Sequence, residues 1–138
     1  MPLVHTLPVR VYYEDTDFSG VVYHANYLRF FERGRSELLR DLGLHHRALF
    51  EGAYSGARVG FVVRAMRIEF KAPARMDDLV DVETEIREVR GASAHMDQRI
   101  RRDGAVLVTA HVRVAVVASG RAVRFPPEIR EALRRALR

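Results

Sequence analysis

The chain has 138 residues, 48% apolar and 30% charged, a balance that excludes a disordered chain and suits one domain over residues 1–138. It has no cysteine, which removes disulfides and thiolate chemistry. Its net charge of +5 rests almost wholly on arginine, since Lys71 is the sole lysine. Such a surplus suits phosphate-bearing partners (a nucleotide-tailed small molecule, an acidic carrier protein, nucleic acid) or else is a merely solvated basic surface.

Met1 leads into "PLVHTLPVRVYY" without a basic stretch followed by an apolar one, and no apolar run approaches the roughly 18 residues of a membrane span. The expected location is the cytoplasm. "VHTLPVRVYY", 4 to 13, predicts a strand with Val9, Val11 and Tyr13 on one face. An acidic loop follows. Tyr27, Phe30, Phe31, Gly34, Leu38 and Leu42 then recur at three- and four-residue intervals, predicting one helix from about Tyr23 to Leu42, stopped by Gly43. Gly34 inside that stripe costs about 1 kcal/mol against alanine, which implies close approach of another backbone.

Residues 44–58 read as a loop. "RVGFVVRAMRIEFK" alternates in two phases, Val59, Phe61, Val63 and then Met66, Ile68, Phe70, so a bulge is expected near Ala65. Strands follow from Val80 and from Ala94, joined by "RGAS", and Asp103-Gly104 predicts a tight hairpin. The strand 105–117 is apolar at almost every position, as a central strand is. Pro126-Pro127 opens a terminal helix with Ile129, Leu133 and Leu137 inward. The class is α+β: an antiparallel sheet, its last four strands in meander order, wrapped around a long helix, with a short C-terminal helix. Such a sheet leaves its other face underburied, which dimerisation through the sheet would remedy.

The chemistry concentrates in "YYEDTDFSGVVYHANYLRFFERGR", 12 to 35. Asp15 and Asp17 stand between a strand end and a helix start, where backbone N–H groups lack partners and carry partial positive charge. A carboxylate beside such donors suits acyl transfer. The donors hold a carbonyl oxygen as it becomes an oxyanion, and the carboxylate attacks the carbon or activates water. The same two carboxylates would also serve as caps of the loop and helix. Gly20 permits a tight turn there. His24 can polarise a carbonyl, orient water or offer its backbone N–H, or be structural. Tyr13 can donate to Asp17 or simply pack, Asn26 can cap the loop, and Glu32 and Arg35 can pair along the helix. Adjacent His45 and His46 lack the i, i+4 geometry of a helical zinc pair, so no metal is expected. The arginine runs lack interleaved aromatics, so sequence-directed nucleic-acid binding is not expected.

This stretch resembles the signature of YbgC-like acyl-CoA thioesterases, in the 4-hydroxybenzoyl-CoA thioesterase group of the hot-dog superfamily. The pattern is Y-x-D-T-D-x-x-G-V-V-Y-H-x-N-Y-L, then F-x-E-x-x-R on the helix, with a looser likeness through "RIEFKAPARMDDLVDVETEI". The resemblance implies a hot-dog fold and hydrolysis of an acyl-CoA to free acid and CoA without metal or cofactor. It implies Asp17 as nucleophile or general base, His24 and Tyr13 as its helpers, and an oxyanion donor at a backbone N–H near His24. In "EVRGAS", Arg90 and Ser93 become candidate CoA phosphate contacts, although some relatives are richer in basic residues where this chain has Gly91 and Ala92. A homodimer or homotetramer is implied, with an acyl carrier protein as a further partner. Two other readings remain open: a hydratase or dehydratase on acyl thioesters, and a non-catalytic thioester- or carrier-binding module.

Overall fold

The computed structural model describes residues 3–54 and 56–137. Strand β1 (Val4–Arg10) ends three residues before Tyr13. A 3-10 turn (Tyr13–Asp15) follows, then helix α1 (Asn26–Asp41) and a short helix α2 (His46–Phe50). Next come β2 (Gly60–Phe70), β3 (Leu79–Val89), β4 (Ser93–Arg102), β5 (Ala105–Ala118), β6 (Arg121–Val123) and helix α3 (Pro127–Arg135).

All the strand pairings are antiparallel, in the order β1-β3-β4-β5-β2, with β6 on β5. Strands β3, β4, β5 and the short β6 pair in sequence order, and β2 stands outside that meander. The expected four-strand meander fails because β2 lies at the far edge beside β5, not beside β3. Residues 71–78 carry the chain from one edge to the other, passing under the acidic loop, where Val21 bridges Arg75. Short turns alone do not set pairing order. The bulge expected near Ala65 is present, between Val63 and Ala65. The Asp103-Gly104 hairpin is present too, both residues at positive φ. Gly43, at φ +84, ends α1 as expected.

Helix α1 buries Tyr27, Phe30, Phe31, Leu38 and Leu39 against the sheet. Gly34 faces the closest approach. A Cβ there would stand 2.8 Å from Val82 Cγ1 and 2.9 Å from Thr84 Oγ1, so no larger residue fits without a shift. Gln98, only 1% exposed, fills the polar gap this leaves. Its Nε2 donates to Phe31 O and Thr84 Oγ1, both at 2.9 Å. Arg35 Nη1 donates to Gln98 Oε1 at 3.0 Å. The expected Glu32–Arg35 pair does not form, because burial turns the guanidinium inward to Gln98 while Glu32 Oε1 accepts from Ser36 Oγ.

The outer face of the sheet also departs from expectation. It is a network of charge: Glu83 accepts from Arg99 and Arg101, both at 2.9 Å, and Asp97 meets His111 at 2.8 Å and Arg87 at 3.4 Å. Apolar cover is missing instead along β2. Its helix-facing row Phe61, Val63, Met66, Ile68 and Phe70 is only partly covered. The paired residues Val116, Val114, Val112, Ala110 and Val108 on β5 are all buried.

Candidate active site

The acidic loop is a small hairpin stitched to its surroundings. Thr16 bridges Val22, Asp17 N–H donates to Val21 O at 2.9 Å, and Gly20 turns the chain at φ +81. Val22 N–H donates to Ala74 O, and Met76 N–H to Gly20 O, tying the loop to the connector. Tyr27 on α1 holds that connector from the other side, its hydroxyl accepting from Ala74 N–H at 2.9 Å.

The two carboxylates part ways. Asp15 is 8% exposed; its Oδ2 accepts from Tyr12 N–H at 2.8 Å and its Oδ1 from Asn26 Nδ2 at 2.9 Å. It caps the turn and fastens it to the first residue of α1, as does Tyr23 N–H to Asp15 O. Asp17 lies at the partly exposed tip. Its Oδ1 accepts from Ser19 Oγ at 2.6 Å and Ser19 N–H at 2.8 Å. Among the described residues nothing meets Oδ2. The Ser19 hydroxyl first, and the Ser19 amide next, hold this carboxyl below the usual aspartate range, so it is charged at neutral pH. Sequence reasoning missed Ser19, though an aspartate two residues before a serine is the spacing of a side-chain-bonded turn.

Helix α1 begins at Asn26, not Tyr23, which leaves His24 in the turn just ahead of it. Among the described residues no acceptor meets the backbone N–H of His24 or Ala25. The first turn is thus an open donor site beside the loop. The His24 ring packs on Tyr23, centroids 4.6 Å apart, and edge-on against Phe70 at 6.2 Å. A hollow of about 260 Å³ opens beside it, between Val22, Tyr27, Phe70 and Lys71. Asp17 does not line this hollow.

Tyr13 is not on a strand. The chain leaves the sheet at Arg10, and Tyr13 stands 79% exposed in the 3-10 turn. Its carbonyl accepts from Thr16, and its hydroxyl makes no hydrogen bond to Asp17. Arg90 and Ser93 close the β3–β4 turn. They lie a full strand from the acidic loop, since β3 begins beside it and runs eleven residues, about 35 Å, away. Arg90 Nε is held by Glu88 at 2.8 Å, and Gly91 lies under the Arg124 guanidinium. One chain therefore holds Asp17 in the hairpin whose return strand, Val21 and Val22, leads into the start of α1, and leaves Arg90 and Ser93 apart from both.

An antiparallel sheet wrapped around one long helix is the architecture of the hot-dog class. The comparisons agree. The model of the Thioesterase-like superfamily matches residues 11–133, and the chain belongs to that family. It is 46% identical over 129 residues to the acyl-CoA thioesterase YbgC of Haemophilus influenzae, covering 92% of each chain. To the acyl-CoA thioester hydrolase YbgC of Escherichia coli O6:H1 it is 50% identical over 111 residues, 80% of this chain and 79% of that one. The crystal structure of a probable thioesterase from Bartonella henselae superposes with a TM-score of 0.87 at 47% identity, covering 90% of this chain and 100% of that one. The chain is an enzyme, a thioester hydrolase.

Proposed function

We propose that this single hot-dog domain hydrolyses acyl-CoA in the cytoplasm, with Asp17 as the reacting carboxylate. The observation that carries the reading is that, among the described residues, one short segment holds both an ionised carboxylate with one oxygen unbonded and, seven and eight residues on, two N–H groups without an acceptor ahead of α1. A thioester carbonyl seated on the N–H groups of His24 and Ala25 meets donors where its negative charge will develop. Removing one such donor typically costs about 2.7–4 kcal/mol of barrier.

Asp17 then acts in one of two ways. As nucleophile it adds to the carbonyl and expels the CoA thiolate, and water hydrolyses the resulting anhydride. As general base it takes a proton from water, the hydroxide adds, and that proton passes to the departing thiolate. Either way one water is consumed, and acid and CoA thiol are released. The His24 ring, which makes no hydrogen bond among the described residues, would orient water or the carbonyl. Tyr13 serves this site only if its exposed hydroxyl swings back to the loop.

The reading includes a second copy of the chain. Phe18 beside Asp17, Tyr23 ahead of α1 and Phe70 at the end of β2 all stand exposed. The half-covered row of β2 lies on an open sheet edge. A homodimer closing over that edge covers the row, and doubling it gives a homotetramer. Within such an assembly Arg90 and Ser93 become the candidate phosphate contacts for a CoA tail held by another copy's site. The basic surplus suits that tail, or an acidic acyl carrier protein.

The test is CoA release, followed with a thiol reagent, from acetyl-, butyryl-, palmitoyl- and benzoyl-CoA. The protein has no cysteine to react with the reagent. Release from at least one ester is expected, and release from none overturns the acyl-CoA reading.

A further inference from the structure

A second cavity lies farther along α1, and its contents do not match a plain hydrocarbon. It holds about 120 Å³ between the middle of the helix and β2, near the ~150 Å³ that accommodates a benzene ring. Phe61, Val63 and Met96 give it apolar walls, and Arg35 enters from the helix. Arg35 is 8% exposed, yet its guanidinium makes a single hydrogen bond, to Gln98, and no carboxylate lies within 4.0 Å of it among the described residues. Burial pulls this guanidinium below its ordinary range, and Glu32 only partly opposes the effect. A buried cation with spare donors is costly unless something accepts from them.

The helix side of the cavity carries further polar groups beside Arg35. Ser36 Oγ donates to Glu32 Oε1 at 2.9 Å and therefore accepts from His46 Nε2 at 3.0 Å. Glu32 and Ser36 on α1 thus form a chain with His46 of α2 at the cavity, and the two helix residues continue a stripe that starts at His24, in the turn ahead of α1. Positions 24, 28, 32 and 36 fall on one face at four-residue spacing. The helix-facing row of β2 runs beside this stripe. Phe70 meets His24 at one end, and Phe61 and Val63 reach the cavity at the other. Partly covered apolar side chains join the two ends.

We infer that the acyl chain lies along this row, from the hollow beside His24 to the cavity around Arg35, and that this cavity selects an acyl chain whose far end carries an oxygen acceptor. The inference rests on the acyl-CoA reading above. From His24 to Glu32 is eight residues, about 12 Å of helix, a distance spanned by roughly ten carbons in zigzag. An end hydroxyl would accept from Arg35 and donate toward Glu32. An end carboxylate would satisfy Arg35 but face Glu32. A methyl end leaves the guanidinium unanswered.

The test measures binding and turnover separately. Calorimetry on the Asp17→Asn protein compares decanoyl-CoA, 10-hydroxydecanoyl-CoA and the mono-CoA ester of decanedioic acid. The hydroxylated ester is expected to bind at least about tenfold tighter than decanoyl-CoA, the size of a hydrogen bond to a charged group. The dicarboxylic ester should fall between them. Ser36→Met, which fills the cavity from the helix without touching the Arg35–Gln98 bond, should abolish the difference. So should Arg35→Met where it folds. Equal affinities for the hydroxylated and plain esters, or a preference that survives Ser36→Met, overturn the inference. Failure of the native enzyme to release CoA from any of the three esters, with the binding preference intact, counts against the thioesterase reading alone.

Discussion

Asp15 and Asp17 are two residues apart in one loop, and they show how burial divides identical chemistry. At the root of the loop, Asp15 is enclosed and both of its oxygens are engaged by Tyr12 and Asn26. At the tip, among the described residues, Asp17 keeps one oxygen unbonded and its carboxylate is met only by Ser19. The root is a fastener that sets where α1 begins. The tip is a charge kept ionised and accessible in the segment that leads to the unpartnered helix donors. A fastener should matter to stability and little to chemistry, and a reactive tip the reverse.

The strongest way to break this comparison is Asp17→Asn, which removes the charge and keeps the shape. Acyl-CoA hydrolysis should fall at least about 100-fold, the lower end of what a positioned base contributes. The urea midpoint should hardly move. Asp15→Ala should do the opposite, leaving Tyr12 N–H and Asn26 Nδ2 unanswered at a cost of about 1–3 kcal/mol in urea unfolding. Gly34→Ala probes the packing beneath the site. Overpacking of about 1–3 kcal/mol against Val82 and Thr84 is partly offset by alanine's better helix propensity of about 1 kcal/mol. A net loss of up to about 2 kcal/mol is expected.

The smallest effect sharpens the account of the tip. Ser19→Ala removes the first cause of the depressed Asp17 pKa and leaves the Ser19 amide in place. A depressed carboxyl stays charged below the usual aspartate range, so the native acid limb of kcat/KM should lie below that range. Losing the hydroxyl should move the limb up in pH, toward the ordinary aspartate value, with little change on the neutral plateau. An unmoved limb would mean that the limb reports another group.

Wherever a residue's pattern was tied to its own neighbours, the sequence was legible. Gly34 in an apolar stripe announced the close contact with β3, and the phase change after Val63 announced the bulge. The Asp103-Gly104 turn and the Pro126-Pro127 helix start were equally local. What was not legible depended on distant partners. Strand β2 carries no mark that it pairs with β5 rather than β3. Helix α2, five residues long, exists because Leu49 is buried and its carbonyl receives Val59 N–H. Strand β6 exists because β4 begins opposite Ala115 and leaves the end of β5 unpaired. Arg35 suggested a pair with Glu32 by spacing, but burial gave it Gln98.

The site divides along the same line. Asp17, His24 and the helix start at Asn26 fall within ten residues, so one stretch of sequence shows them together. Tyr13 was misplaced because the chain leaves the strand at Arg10, which the apolar alternation through Val11 and Tyr13 conceals. Arg90 and Ser93 lie a full strand from the acidic loop, a separation that β3 sets and that the sequence around them does not show.

The most direct test of the account measures CoA release and the thermal midpoint side by side for the native protein, Asp17→Asn and Asp15→Ala. The account predicts a crossed pattern: Asp17→Asn melts with the native protein and releases almost no CoA, and Asp15→Ala melts early yet still turns over while folded. Near-native turnover by a fully folded Asp17→Asn protein would contradict it.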